Sequence, residues 1–350
     1  MGIRHPHLSS PHPSAQRVLD PTGQVRVAYV DPTDLSRWFA TSGTFPLAVV
    51  SFGLPLPVTP SCPVIQLDLP MLEGPRRCEV WSCDHPVRLY KDRQLSAAVG
   101  GDFLFGSITA VEDSDTDLAR TTEKAYRQLL RLLRESGFAH LWRIWNYFPR
   151  INEEQQGLER YRLFCVGRHQ ALAETLPDFP SSLPAGTAVG TQGGPLQSYF
   201  LAGAQPGTHL GNPRQLNAYD YPEIYGPRSP SFARATLCRS EGTTQLFISG
   251  TASVVGHQSR HEGLAEMQAL ETVTNLRALI DRARAVSPFF ERGPRSHSAF
   301  KVYVRNPKHL DTVRRVLHAP FLLSSHLLYL QGDLCRKELL VEIEGLVTTD

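Results

Sequence analysis

Apolar and polar positions along the chain follow two periods, one of strands and one of helices. The run Leu327–Val347, LLYLQGDLCRKELLVEIEGLV, reads as a strand, a short charged turn and a second strand. In the second strand Leu339, Val341 and Ile343 alternate with Leu340, Glu342 and Glu344. Successive side chains of a strand point to opposite faces, so both carboxylates should share one face and the three aliphatic groups the other. A solvated edge strand would produce this pattern. A strand facing a closed cleft would too, and Glu342 would then be a desolvated carboxyl with a raised pKa, suited to donating a proton.

Upstream, residues 25–60 alternate apolar segments (VRVAYV, FPLAVVSFG) with Pro and Gly, as β-structure does. Cys78–Asp92 reads as another hairpin, and GGDFLFGSITAV as an apolar strand holding Gly106. Tyr126, Leu129, Leu130 and Leu133 fall at helical spacing, with Gly137 placed to end the helix. HLWRIWNYFPRIN is a strand, followed by ERYRLFCVGR. Residues 178–230 are rich in Pro and Gly and read as a linker with long ordered loops. The pattern then returns: QLFISGTASVV as a strand holding Gly250, a helix with Met267, Leu270, Val273, Leu276 and Ile280 on one stripe, the strand FKVYVRNP and the C-terminal hairpin. GSITA aligns with GTASV and RIWNYFP with KVYVRNP. The order of elements occurs twice, which predicts a duplicated α+β unit with helices packed on one face of each mixed β-sheet. The expected boundaries are a disordered tail over 1–24, an N-terminal domain over 25–177, linker and active-site loops over 178–230, and a C-terminal domain carrying the site over 231–350.

Composition narrows the function classes. With 41% apolar and 20% charged residues the 350-residue chain is ordinarily globular, and a net charge of +2 argues against a general nucleic-acid binder. No apolar run reaches the ~20 residues of a membrane helix, and MGIRHPHLSSPHPSAQ has no hydrophobic core of a secretory signal. Six scattered cysteines without CxxC or zinc spacing suggest reduced thiols in a cytoplasm. P-loop, GxGxxG, HExxH and GxSxG motifs are all missing, so no nucleotide, metal or acyl-enzyme is required. A cofactor-free site must then come from carboxylates, arginines and tyrosines.

Such residues occur together. Lys301, Tyr303 and Arg305 share one face of FKVYVR, Arg160 and Arg168 flank the apolar centre of ERYRLFCVGR, and AYDYPEIYGPRSPSFAR carries Tyr219, Tyr221, Tyr225, Arg228 and Arg234. Arginine forks match carboxylates with paired hydrogen bonds, and tyrosine hydroxyls can add to them, so a converging set would hold a small dianion. Surface or interface roles would explain the same arginines. Gly250 is either a bulge glycine or a place where the missing side chain makes room for a ligand. Cys335 is either a small buried apolar residue or a lining residue of the same pocket.

ERYRLFCVGR, AYDYPEIYGPRSPSFARA, LFISGTASVVGHQSRHEG and YLQGDLCRKELLVEIEG together resemble the chorismatase family, from about residue 25 to the C-terminus, and each half resembles the Rid/YjgF fold. The resemblance implies two such halves and an active site in the C-terminal one near their junction. It implies chorismate as substrate, with Glu342 protonating the enolpyruvyl methylene. Arg168, Tyr219 and Arg305, with Arg160 and Arg228 behind them, are expected at the substrate carboxylates. Gly250 and Cys335 match the members that form 3-hydroxybenzoate and pyruvate through an arene oxide, some of which also make 4-hydroxybenzoate. Hydrolytic members tend to carry alanine at both places. A lyase without cofactor or metal is thus expected, acting as a monomer. The alternatives are a hydrolytic chorismatase giving the dihydrodiol acid, and a Rid-like module that binds a small acid or deaminates an imine.

Overall fold

The structure is a computed structural model and describes residues 23–113, 116–240, 242–290, 297–317 and 326–349. The expected tail over 1–24 lies outside the described residues except for its last two positions. The described residues build three large β-sheets and two two-stranded ribbons, and each large sheet has a helix-covered outer face and an inner face turned toward the other two.

The first sheet comes from β1 (Val25–Val30), α1 (Leu35–Thr41), β2 (Phe45–Phe52), β3 (Val64–Leu67) and β4 (Cys78–Cys83), in the order β1-β4-β2-β3. The second contains β5 (Val87–Asp92), β6 (Leu95–Gly100), β7 (Phe103–Ala110), α2 (Leu118–Ser136) and β8 (His140–Pro149). A two-residue ribbon, β9 (Glu154–Gln155) with β10 (Leu158–Glu159), then leads to α3 (Arg160–Thr175), β11 (Ala185–Thr191) and β12 (Leu196–Gly203). The third contains β13 (Thr208–Leu210), β14 (Ala235–Ser240) and β15 (Thr243–Ala252). After the ribbon β16 (Val254–Val255) with β17 (Gln258–Ser259) come α4 (Ala265–Val286), β18 (His297–Val304), α5 (Leu310–Leu317), β19 (His326–Gln331) and β20 (Val341–Thr349).

The second sheet runs β5-β6-β7-β12-β8-β11 and the third β13-β14-β15-β20-β18-β19. Position for position the two orders are the same, and in each the only parallel pair is the one at its end, β8 with β11 and β18 with β19. The α+β duplication expected from the sequence is borne out: GSITA lies in β7 and GTASV begins in β15, RIWNYFP in β8 and KVYV in β18. The first sheet repeats the last four strands of that plan, with β2 and β3 as its parallel pair.

Binary patterning places each layer. Asp117 caps α2 by accepting a hydrogen bond from the Arg120 amide, and Gly137 ends it at φ 79°. The stripe Tyr126, Leu129, Leu130 and Leu133 packs with Phe164 of α3 on the outer face of the second sheet. Leu276, Leu279, Phe300, Val302, Val341 and Ile343 form the equivalent layer of the third sheet. The inner faces meet in a separate core that draws Val50 from the first sheet, Trp145 and Tyr199 from the second and Phe247, Tyr303 and Leu330 from the third. Each fully buried large apolar side chain in these layers contributes roughly 1.5–3 kcal/mol. Backbone hydrogen bonds close the ring of sheets: Gln192 N to Asp68 O at 3.0 Å, Gly190 N to Asp333 O at 2.7 Å and Gln331 N to Pro70 O at 2.8 Å.

Several expected elements differ. Residues 178–230, read as linker and loops, contain β11 and β12, which complete the second sheet. Their small residues fit strands that are buried on both faces. Cys78–Asp92 is not a hairpin, because β4 and β5 belong to different sheets. Nor is the C-terminal pair, since β18 lies between β19 and β20. On α4, Met267 and Leu270 are exposed and Gln268, Ala269 and Thr272 are buried instead. Leu339 precedes β20 and packs in the inner core, apart from Val341 and Ile343.

Candidate active site

On β20 the expected alternation holds where it matters: Val341 and Ile343 lie under α4, while Glu342 and Glu344 face inward, both buried. This inner face meets β11 of the other half. The Thr187 hydroxyl accepts the Gly250 N–H at 2.9 Å and donates to the Glu344 carboxylate. Across the same seam Arg143 of β8 also donates to Glu344, so the two halves are joined by buried charge.

Gly250 sits where the β15–β20 register shifts between Ile248 and Thr251. It is therefore a bulge glycine, but the space it leaves has a use. A Cβ there would lie 2.1 Å from Glu342 Oε1, so the acid fills the room a side chain would need. The carboxyl of Glu342 has no hydrogen-bond donor among the described residues. Burial first, and then the negative charge of Glu344, push its pKa up to about 8, against the opposing pull of Arg143, Arg305 and Arg234. The shift favours the protonated form at neutral pH.

Glu342 opens onto a cavity of about 380 Å³ that also exposes Gly250, Cys335, Arg234, Tyr221 and Arg336. Small-molecule sites usually occupy about 300–1,000 Å³. Behind it a recess of about 30 Å³ is lined by Glu342, Gly250, Cys335, Thr187, Phe232 and Arg168. Arg168 is 1% exposed, yet its Nε and Nη2 have no hydrogen-bond partner. Arg234, also buried, donates from Nη2 to Tyr221 Oη and Leu216 O, both at 2.7 Å, and leaves Nε unpaired. The two guanidinium groups flank the ring of Phe232 at 6.0 and 5.3 Å. Buried guanidinium N–H groups without acceptors are costly, which makes these two strong receptors for a carboxylate ligand.

The long loop before β14 supplies the outer wall. Gln215 Nε2 donates to Val254 O at 3.0 Å and Arg214 pairs with Glu271 of α4 at 2.6 Å, fixing the loop to the helix. Tyr225 bonds to His257 at 3.1 Å, and Arg336 stacks over its ring at 4.0 Å.

Among the residues singled out from sequence, Glu342, Gly250, Cys335 and Arg168 surround one recess, and Arg228 lies exposed on the cavity wall. The Cys335 thiol is pushed up to about 12, by burial and then by Glu342, so it remains neutral. Three others, expected at the substrate carboxylates, have protein partners and do not line the cavity. Arg160 is spent on Glu112, with contacts of 2.9 and 2.5 Å, and on Pro149 O. Arg305 donates to Asp333 at 2.7 Å and to the carbonyls of Leu339, Leu334 and Arg336, so it shapes the 333–339 turn. Tyr219 packs against the α2–α3 core instead of lining the cavity. Tyr221, Tyr225 and Arg234 take the place given to it. All three stand in the tyrosine/arginine loop, but spacing alone does not say which of its side chains turn inward.

A family profile described as "Chorismatase FkbO/Hyg5-like, N-terminal" matches residues 79–202. A chorismatase of Streptomyces hygroscopicus is 39% identical over 274 residues, covering 77% of this chain and 78% of that protein. The chain belongs to the chorismatase family. A 3-hydroxybenzoate synthase of the same organism is 38% identical over 234 residues, 65% of this chain and 68% of that protein. A crystal structure of a chorismatase at 1.08 Å resolution superposes with a TM-score of 0.81 at 33% identity, covering 93% of this chain and 98% of that one. As a chorismatase the chain is an enzyme.

Proposed function

We propose that this chorismatase converts chorismate to 3-hydroxybenzoate and pyruvate, with Glu342 as the acid. The observation that carries the reading is a buried carboxyl with no donor among the described residues, on the same recess as a buried guanidinium with unpaired N–H groups. Arg168 and Arg234 would each take one of the two substrate carboxylates, holding the enolpyruvyl methylene toward Glu342. Such positioning lowers the entropic part of the barrier.

Glu342 gives its proton to the methylene carbon, and the ether becomes an oxocarbenium ion. The C4 hydroxyl oxygen then attacks C3 while the C3–O bond breaks toward the ether oxygen, which leaves as the keto oxygen of pyruvate. The C4 hydroxyl proton returns to the Glu342 carboxylate. The resulting 3,4-epoxide opens at C4–O, loses the proton of C3 as the ring becomes aromatic and takes a proton on its oxygen, giving 3-hydroxybenzoate. Products and substrate have the same atoms, so no oxidant or water is consumed. A positioned general acid supplies roughly 10²–10⁴ in rate. Gly250 supports this branch, since it lets the carboxyl lie against the β15 backbone, and neutral Cys335 narrows the recess beside it.

The hydrolytic branch differs in consuming one water. Water adding to the oxocarbenium carbon would leave a dihydrodiol acid and put solvent oxygen into pyruvate. Incubation with chorismate in ¹⁸O-water, with pyruvate trapped as lactate by lactate dehydrogenase and NADH before its keto oxygen exchanges, and with chromatography and mass spectrometry of both products, separates the two. Unlabelled keto oxygen formed alongside an aromatic acid is the expected result, and a non-aromatic acid with labelled pyruvate refutes the branch proposed. We further propose that the enzyme works as a monomer, a reading supported by the closure of three sheets around one inner core within a single chain.

A further inference from the structure

Two carboxylates stand on the inner face of β20, and they have opposite surroundings. Glu344 has three hydrogen-bond donors and a lysine ammonium beside it. Its Oε2 accepts from Arg143 Nη2 and Thr187 Oγ1, and its Oε1 accepts from Tyr303 Oη at 2.7 Å and lies 3.0 Å from Lys301 Nζ. Lys301 in turn lies 3.1 Å from Glu79 of β4 and donates to Tyr199 Oη at 2.9 Å. Glu342, two residues earlier, has no donor at all among the described residues.

We propose that Glu344 is a positioning residue for the acid: it captures Arg143 and Lys301 in a closed buried network and so leaves Glu342 without a cationic partner and holding the proton. The proposal rests on Glu342 being the acid of the reaction above. Charge within the network balances, with Arg143 and Lys301 against Glu344 and Glu79. Burial alone would raise Glu344, but Lys301, Arg143 and the bonds from Thr187 and Tyr303 hold it below the ordinary carboxylate value. Burial alone would lower Lys301, but Glu344 and Glu79 raise it.

The groups facing Glu342 come from every neighbouring element. They are Glu344 on its own strand, Arg143 on β8, Arg305 after β18, Arg234 before β14, Arg168 and Tyr161 on α3, and Cys335 in the turn before β20. Of the arginines, Arg143 is tied to Glu344, Thr187 and Ile144 O, and Arg305 to Asp333 and three carbonyls. Arg234 and Arg168 keep free N–H groups, and those are the ones a bound dianion would occupy. The cations of the site thus divide: Glu344 holds Arg143 and Lys301, Asp333 and three carbonyls hold Arg305, and Arg168 and Arg234 keep N–H groups for substrate. Without its charge, Arg143 and Lys301 would oppose Glu79 alone, and the excess positive charge beside Glu342 would favour its ionised form.

The test is the pH dependence of kcat for Glu344→Gln, with Glu342→Gln measured alongside. The amide keeps the shape and removes the charge. The high-pH limb of kcat should move down by about one pH unit or more, with kcat at pH 8 falling by about tenfold and KM changing far less. The deficit should shrink toward pH 5, which a folding defect would not do. A lowered kcat with an unmoved limb overturns the proposal. Activity in Glu342→Gln would overturn the acid assignment instead, so the two failures are distinct. Where Glu344→Gln does not fold, ¹³C-carboxyl glutamate NMR of the unmodified enzyme decides. Glu342 should release its proton near pH 8 and Glu344 should stay ionised through the neutral range. A Glu344 that holds a proton at neutral pH overturns the proposal.

Discussion

Replacing Glu342 by glutamine should inactivate the enzyme and, at alkaline pH, make it more stable. The unfolded chain exposes Glu342 to water, where it titrates near the ordinary 4.5, whereas in the fold it titrates near 8. Between those values the native state binds a proton that the unfolded state does not. Its stabilising contribution is therefore complete below pH 4.5 and is lost as pH rises through about 8. The span corresponds to roughly 5 kcal/mol, at about 1.4 kcal/mol per tenfold in proton affinity. Other buried groups titrate too, so the useful quantity is the difference between enzyme and variant, in which they cancel. Glutamine is close in shape to the protonated acid and never ionises. The two proteins should thus have similar unfolding free energies at pH 5, and the variant should gain by up to about 5 kcal/mol by pH 9. Urea titrations at pH 5, 6, 7, 8 and 9, with far-UV circular dichroism as the signal, measure this directly. A difference that stays flat across the series would mean that Glu342 titrates as an exposed glutamate does, and the general-acid argument would fail with it.

The other predictions follow from the same geometry. Turnover should fall as pH rises through about 8, because only the protonated Glu342 can act; a rate that climbs above pH 8 contradicts this. Gly250→Ala should displace the carboxyl, since the new Cβ would lie 2.1 Å from Oε1, and should shift product from 3-hydroxybenzoate toward the dihydrodiol acid, read by chromatography. Arg168→Met should raise KM by about 10–100-fold, as expected for loss of a charged hydrogen bond worth ~1.5–3 kcal/mol. Arg160→Met should instead cost about 3–5 kcal/mol of stability by stranding Glu112, with KM little changed in the folded fraction. Cys335 should resist alkylation by iodoacetamide at pH 7, because its thiol ionises only near 12.

Features that depend on local period and chemical type are legible in the chain before it folds. Alternation in VEIE placed Glu342 and Glu344 on one face, alternation in FKVYV placed Lys301 and Tyr303 likewise, and the i, i+3, i+4 stripe with Gly137 fixed α2. The doubled order of elements announced the duplication, and the long motifs announced the family. What the tertiary structure decided was pairing. Strand order cannot be read from a run of apolar residues, so β18 between β19 and β20, and β11 and β12 within an apparent linker, were invisible. The third sheet-forming unit at the N-terminus was hidden too, because its short strands carry the same local signal as any β-structure. Partners were decided there as well. Arg160, Arg168, Arg234 and Arg305 are alike in sequence, but two are spent on protein acceptors and two keep N–H groups free. Glu342 and Glu344 sit in matching strand positions, yet Glu344 receives three donors and the Lys301 ammonium, and Glu342 no donor among the described residues. A side chain's type and face are set within a few residues of it. Its charge state depends on groups 40 to 200 positions away that only folding brings within 3 Å.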